Sequence, residues 1–274
     1  MDEIDRRHVP GSHRYWLRGA EIITLALGLL LAAIAWSGAH AAEPPCDQRE
    51  FAGSRFLVCS IDPKVSDLRL FWQNPDGDPH RSFSSLASAV ADNGRVLRFA
   101  MNAGMYDTDF APIGLYVEDG EQLRPARTTT PANLGNPVPN FYKTPNGIFY
   151  LSGGAAGIVT TESFVADPPQ TDFATQSGPM LVIDGVLNPI FIPDSSDRTR
   201  RSGVGTCTDN RLAFAISEGP VNFHDFGRLF RDALDCPNAL FLDGGRGVGL
   251  YDPALGRNDF SWHGGFGPMI GLVE

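Results

Sequence analysis

The sequence has no H-E-x-x-H, no G-x-S-x-G, no Walker A motif and no EF-hand loop. Zincins, α/β-hydrolases, P-loop enzymes and EF-hand proteins are therefore poor fits. A basic surplus is also lacking. Lys and Arg number 22 against 32 Asp and Glu, a formal net charge of −10, whereas a nucleic-acid-binding chain normally carries the opposite balance. Nucleic acid is not expected as a partner. Cysteine is scarce, four in 274 residues, and no two form a C-x-x-C pair; zinc is disfavoured accordingly. Internal repeats and low-complexity linkers are missing. What remains is 42% hydrophobic and 20% charged, with 30 Gly and 21 Pro, the make-up of one folded, turn-rich domain rather than a helical bundle, coiled coil or polytopic membrane protein.

The N-terminus is expected to be a leader. Arg6, Arg7, Arg14 and Arg18 precede an apolar run at residues 22–36, followed by the small residues SGAHAA. Ala39 and Ala41 fit an A-x-A cleavage pattern, leaving residues 1–41 as signal peptide and Ala42 as the new terminus. The run is shorter than the ~20 residues that span a bilayer. A membrane association is expected only if this segment stays uncleaved. Cys46, Cys59, Cys207 and Cys236 all follow the cleavage point. An even count after a signal peptide reads as two disulfides in a periplasmic or secreted protein. The pairs that close the shortest loops are Cys46–Cys59 and Cys207–Cys236.

Strand-length apolar runs occur at residues 55–60, 96–101, 114–117, 147–151, 180–183, 212–216 and 239–242. Asp119-Gly120 and Asp184-Gly185 predict hairpins, because type I′ turns need positive φ at both central residues. A helix is expected over residues 84–91, stopped by Asn93-Gly94. A second is expected from the spacing of Phe226, Leu229, Phe230 and Ala233, capped by Asn222. Strand, helix, strand here predicts a right-handed crossover joining two parallel strands. Ser217-Glu218-Gly219 and Asp243-Gly244-Gly245 would then emerge at one sheet edge, where sites collect. The expected fold is α+β with a central mixed β-sheet core and a few helices. It divides into N-terminal strands and a helix (42–95) and a core (96–274).

Several residues are candidates for chemistry. Asp243 follows an apolar strand and precedes two glycines whose N–H groups are free to face an anion. Asn102-Ala103-Gly104 follows its strand in the same manner. Arg198, Arg200 and Arg201 crowd one loop of an acidic chain, and guanidinium forks suit phosphate or carboxylate; pairing with Asp194 and Asp197 is the alternative. Glu218 with Asp243 would make the carboxyl pair that glycosyl transfer to water usually needs. His224 and His263 are further acid–base candidates.

Six segments in register resemble the phosphodiester glycosidase family: FAMNAGMYD (99–107), KTPNGIFYL (143–151), TQSGPMLVIDG (175–185), RRSGVG (200–205), AFAISEGPVNF (213–223) and NALFLDGG (238–245). The resemblance implies hydrolysis of a sugar-1-phosphodiester to free sugar and a phosphomonoester; no cofactor is expected, and no ligand spacing in the sequence makes the case for a metal. It assigns roles to Asn102 and Gly104, to Asn146 and Gly147, to Gln176, Ser177 and Gly178, to Arg201, and to Asp243, Gly244 and Gly245. Many members continue D-G-G with one residue and Ser, whereas this chain reads Arg246-Gly247-Val248-Gly249. Arg246 then becomes a second anion contact. On these expectations Asp243, Glu218 and Arg201 are catalytic, and the amides bind the sugar of a carbohydrate phosphodiester. The rival readings are a non-catalytic carbohydrate- or envelope-polymer-binding protein and a plain phosphodiesterase.

Overall fold

The computed structural model describes residues 46–274; the expected leader and its cleavage site lie outside the described residues. In chain order the strands are β1 (Cys46–Phe51), β2 (Ser54–Ile61), β3 (Asp67–Phe71), β4 (Leu97–Asn102), β5 (Tyr116–Glu118), β6 (Glu121–Arg124), β7 (Gly147–Ser152), β8 (Ala155–Thr160), β9 (Phe173–Ser177), β10 (Met180–Ile183), β11 (Val186–Leu187), β12 (Arg201–Thr206), β13 (Leu212–Ser217), β14 (Asn238–Gly244), β15 (Leu250–Asp252), β16 (Arg257–Asn258) and β17 (Met269–Val273). The helices are α1 (Phe83–Asp92), α2 (Thr161–Ala166) and α3 (Phe223–Arg228), the last running on as a π-helical turn, Leu229–Ala233.

The strands form three sheets, ordered β1-β2-β13-β12-β14-β10-β11, β16-β15-β4-β17-β3 and β6-β5-β9-β7-β8. The class is α+β, as expected. The N-terminal strands are woven into it, β2 against β13 and β3 against β17.

Burial explains why the runs read as continuously apolar. The seven-stranded sheet is covered on both faces, so both alternating sets of side chains are apolar. Leu57, Phe214, Ile216, Leu240 and Leu242 join Phe99, Met101, Tyr116 and Phe149 in a core shared by all three sheets. Phe56, Ala213, Ala215 and Phe241 face the other way, against Phe226 and Phe230 of the α3 segment. Phe99 and Phe214 are fully buried, each contributing about 1.5–3 kcal/mol of transfer free energy. Helix α1 covers the second sheet with Phe83, Leu86 and Val90.

Local signals act as their chemistry dictates. Asp119 and Gly120 have φ of 50° and 79°, and Asp184 and Gly185 have 47° and 80°, closing the hairpins β5–β6 and β10–β11. The Ser82 hydroxyl accepts from the Ser85 N–H to start α1, and the Asn222 amide oxygen accepts from the Asp225 N–H to start α3. Both expected disulfides are present. Cys46 and Cys59 are direct partners across β1–β2, while Cys207–Cys236 ties the end of β12 to the approach of β14.

One expectation is corrected. The crossover does join two strands that run in the same direction, but the sheet is not mixed: β12 lies between β13 and β14, antiparallel to both, and among the described residues every ladder between the strands is antiparallel. Gly203 and Gly205 let β12 serve as this middle strand beneath the helical segment. A β-carbon at Gly203 would meet Phe226 at 3.2 Å, and one at Gly205 would meet Phe230 at 2.8 Å. β13 and β14 still run in the same direction. Their C-terminal ends therefore share an edge with Arg201, the first residue of β12.

Candidate active site

Asp243 stands at that edge, opposite Ser202, with Arg201 opposite Gly244. The ladder shifts register between Ser202 and Gly203, a bulge of the kind that re-aims a strand end. The Ser202 hydroxyl accepts from the Asp243 N–H and donates to the Asp243 carbonyl, both at 3.2 Å. Asn102, from the second sheet, donates to the same hydroxyl at 2.8 Å and accepts from the Gly249 N–H at 3.2 Å. The buried Asn102 thus clamps both ends of the 243–249 loop. Ser177, also buried, donates to the Leu242 carbonyl at 2.9 Å. Three polar residues from three strands hold Asp243's backbone in place.

The Asp243 carboxyl is packed among protein atoms although the residue keeps some solvent contact. Desolvation pushes its pKa up to about 7, against the lowering effect of the Gly244 N–H, which donates to Oδ1 at 2.7 Å. A carboxyl titrating near neutrality can take or give a proton at working pH. A β-carbon at Gly247 would collide with Oδ2, so a larger residue there would have to displace the carboxyl or the loop. Tyr106 lies close by, its phenol donating to the Gly265 carbonyl at 2.9 Å. Burial raises its pKa and the charge of Asp243 adds to the rise.

Other expected ligands sit differently. Glu218's carboxylate pairs with Arg257 at 2.7 Å, and Arg257 also binds Asp259, itself 3.7 Å from Arg200. Glu218 belongs to this ionic rim, with its charge partnered by the Arg257 guanidinium. Nor do the D-G-G amides form an anion nest: the Gly244 N–H bonds Asp243 and the Gly245 N–H donates to the Arg200 carbonyl at 2.9 Å. Gln176 is buried with its amide fully engaged. Its oxygen accepts from the Leu115 and Arg127 N–H groups at 3.0 and 2.9 Å, and its nitrogen donates to the Arg127 carbonyl and Thr161 hydroxyl at 2.9 and 3.1 Å.

Gly104, Gly147 and Gly178 are close-packing glycines. β-Carbons there would approach Thr175 Oγ1 at 2.9 Å, the Val159 carbonyl at 2.9 Å and Asn146 Cβ at 2.5 Å. Asn146 lines a cavity, a space of about 670 Å³ with Arg127, Tyr142, Thr161 and Glu162 on its walls. Arg246 is exposed, and its carbonyl accepts from the Ser261 hydroxyl at 3.3 Å. His263 is exposed; His224 lies 3.4 Å from Asp225.

Arg201 is buried, with 1% of its side chain exposed. Its guanidinium stacks on Phe223, 3.5 Å from the ring centroid, donates to the Val221 carbonyl at 2.9 Å and meets Asp197 at 3.6 Å. Burial lowers its pKa to about 10, with Asp197 opposing the shift, so it stays charged at neutral pH. Arg198 reaches Asp225 at 3.9 Å; Asp194 sits exposed in the preceding loop. Among the described residues no group of three or more His, Cys, Asp or Glu is arranged to hold a metal ion.

Fold and site define an α+β scaffold that holds a near-neutral carboxyl at the edge of an antiparallel sheet. The chain belongs to the phosphodiester glycosidase family, whose sequence profile matches residues 95–268. It is 34% identical over 185 residues to the uncharacterized protein YigE of Escherichia coli (strain K12), covering 68% of this chain and 70% of YigE. Its fold is similar to the catalytic domain of zebrafish N-acetylglucosamine-1-phosphodiester alpha-N-acetylglucosaminidase auto-inhibited by its pro-peptide, with a TM-score of 0.58, 15% identity and 85% of each chain covered. A hypothetical protein from Synechocystis gives a TM-score of 0.52 at 15% identity, over 83% of this chain and 61% of that one.

Proposed function

We propose that the protein hydrolyses a sugar-1-phosphodiester, and does so in the periplasm or outside the cell. The observation that carries this reading is Asp243: a carboxyl raised to a pKa of about 7, fixed by Ser202 and Asn102, in a chain of the phosphodiester glycosidase family. Two disulfides support the oxidising compartment.

Unprotonated Asp243 takes a proton from water as the water oxygen bonds the anomeric carbon. The bond from that carbon to the phosphate oxygen breaks, and its electron pair leaves with the phosphate. Free sugar and a phosphomonoester result, and the proton passes from Asp243 to the departing phosphate or to solvent. The transition state is oxocarbenium-like. Phosphate is already a fair leaving group, so one carboxyl suffices where an ordinary glycoside needs two. Arg246, exposed three residues beyond Asp243, meets the developing phosphate charge. Asn146, on the wall of the 670 Å³ cavity, supplies a hydrogen bond to the sugar.

The test is a panel of hexose and N-acetylhexosamine 1-phosphodiesters incubated with the oxidised protein and with Asp243→Asn, products read by mass spectrometry. Free sugar from the wild type alone is the expected result. Sugar phosphate would point to phosphodiesterase chemistry instead. Ligand binding without any product would make the protein a carbohydrate-binding module.

A further inference from the structure

The loop between β16 and β17 turns two aromatic side chains to solvent. Phe260 is 62% exposed and Trp262 72%, and their rings touch, with centroids 4.6 Å apart and planes tilted by 58°. Single apolar residues on a surface are ordinary, but rings in contact form a patch. The loop beneath them is pinned at both ends. The Leu250 N–H donates to the Asp259 carboxylate at 3.2 Å, and the Asp259 N–H donates to the Leu250 carbonyl at 3.0 Å. At the other end the Arg81 guanidinium donates to the Gly264 carbonyl at 2.7 Å and the Tyr106 phenol to the Gly265 carbonyl at 2.9 Å. A surface held in place loses little freedom when it binds, so contact with it is worth more.

The rings also adjoin the candidate site. Ser261, between them in sequence, donates its hydroxyl to the Arg246 carbonyl at 3.3 Å, and the same turn brings Gly247 against the Asp243 carboxylate. Tyr106 touches both parts: burial raises its pKa, a hydrogen bond with Ser261 lowers it and the Asp243 charge raises it. What the rings can hold is narrowed by their neighbours. A saccharide needs hydrogen-bond partners for its hydroxyls. Apart from Arg246 and His263, the polar side chains of the loop and its anchors are engaged within the protein. Asp259 holds Arg257 at 2.9 Å, the Ser261 hydroxyl also accepts from the His263 N–H at 3.2 Å, and Arg81 and Tyr106 are spent on backbone carbonyls. Phe260 has no polar side-chain atom at all, and an apolar chain asks for none. A net charge of −10 does not suit an anionic membrane surface.

We propose that Phe260 and Trp262 form a platform for an apolar chain carried by the alcohol that stays on the phosphate, so that the substrate is a glycosyl phosphodiester of a lipid alcohol. Arg246 meets the phosphate, and Ser261 ties the platform to Arg246, so the retained alcohol is the part of the substrate that the rings receive. The inference rests on the hydrolytic reading for the identity of the reacting end, but the contact between rings and chain is measured without turnover.

The experiment is isothermal titration of ethyl phosphate, and of octyl phosphate below its micelle concentration, into the oxidised protein. Phe260→Ala, Trp262→Ala and the double variant are titrated beside it, with folding checked by circular dichroism. Octyl phosphate is expected to bind the wild type about tenfold tighter or more, since each methylene in apolar contact is worth up to about fourfold. Each single variant should shrink that ratio several-fold, and the double variant should bring the two affinities close to equal. Equal affinities or no binding in the wild type, or a ratio that the variants leave intact, overturns the inference. Glucose 6-phosphate binding more tightly than octyl phosphate, and losing that advantage in Trp262→Ala, would overturn it by making the rings a sugar platform. Adhesion of the wild type alone to phosphatidylcholine vesicles, with no preference for the longer alkyl phosphate, would overturn it by making them a membrane anchor. A chain-length ratio with no free sugar from any 1-phosphodiester would sink the hydrolytic reading and leave the platform standing; hydrolysis without the ratio would do the reverse.

Discussion

Gly247 gives Asp243 its room: a β-carbon on Gly247 would occupy the space of the carboxylate oxygen Oδ2. Gly247→Ala must therefore move either the loop or the carboxyl. Off-geometry groups at reacting centres cost large factors, so kcat should fall about 100-fold while the thermal melt shifts only modestly. Steady-state kinetics beside a melting curve checks this. Unchanged kcat would separate Asp243 from the chemistry.

Asp243 also links activity to stability. Its folded pKa, about 7, lies well above the 3.8 of an ordinary aspartate. A raised carboxyl favours the folded state below the unfolded pKa, and that favour is lost as pH rises from 3.8 through 7. Asp243→Asn should thus melt higher than the wild type at pH 8, by the equivalent of a few kcal/mol at most, and match it near pH 4. Urea titrations at the two pH values measure the difference. Equal stability at pH 8 would mean the carboxyl is not desolvated.

Glu218 should be dispensable for the chemical step. Its carboxylate is held by Arg257 at 2.7 Å. Glu218→Gln is expected to keep kcat within about threefold and to cost under ~1 kcal/mol, as partly exposed ion pairs do. A loss of 1,000-fold would restore it as the second catalytic carboxyl.

Gln176 should matter for folding. Removing its amide strands the buried N–H groups of Leu115 and Arg127, each unsatisfied donor costing about 1–3 kcal/mol. Gln176→Ala should lower the melting temperature by several degrees or more. A variant with normal stability and a raised KM would instead make Gln176 a sugar ligand.

The hairpins at Asp119-Gly120 and Asp184-Gly185, the two helices with the Asn222 cap of the second, and both disulfides were legible in the sequence, because each depends on residues close together in the chain. The site's edge was legible too, through the strand ends at Ser217 and Asp243. The insertion of β12 between those strands was not, since nothing local specifies a strand's neighbour. The clamp of Asn102 on Ser202 joins residues 100 apart, and Gln176 reaches 61 residues to Leu115. Asn102, Ser177 and Gln176 stand out as polar residues in apolar surroundings, but that signal does not tell a ligand from a buried strut. Gly247 adjoins a segment that carries the family resemblance, and its closeness to the Asp243 carboxyl emerged only once Asp243 had a position.

The most direct test of the account is hydrolysis of a sugar-1-phosphodiester in ¹⁸O-labelled water, with the label located by mass spectrometry. Attack at the anomeric carbon, assisted by Asp243, puts ¹⁸O in the free sugar and none in the phosphomonoester, with kcat/KM rising through a pKa near 7. Label in the phosphate product would place the attack at phosphorus and contradict the central claim.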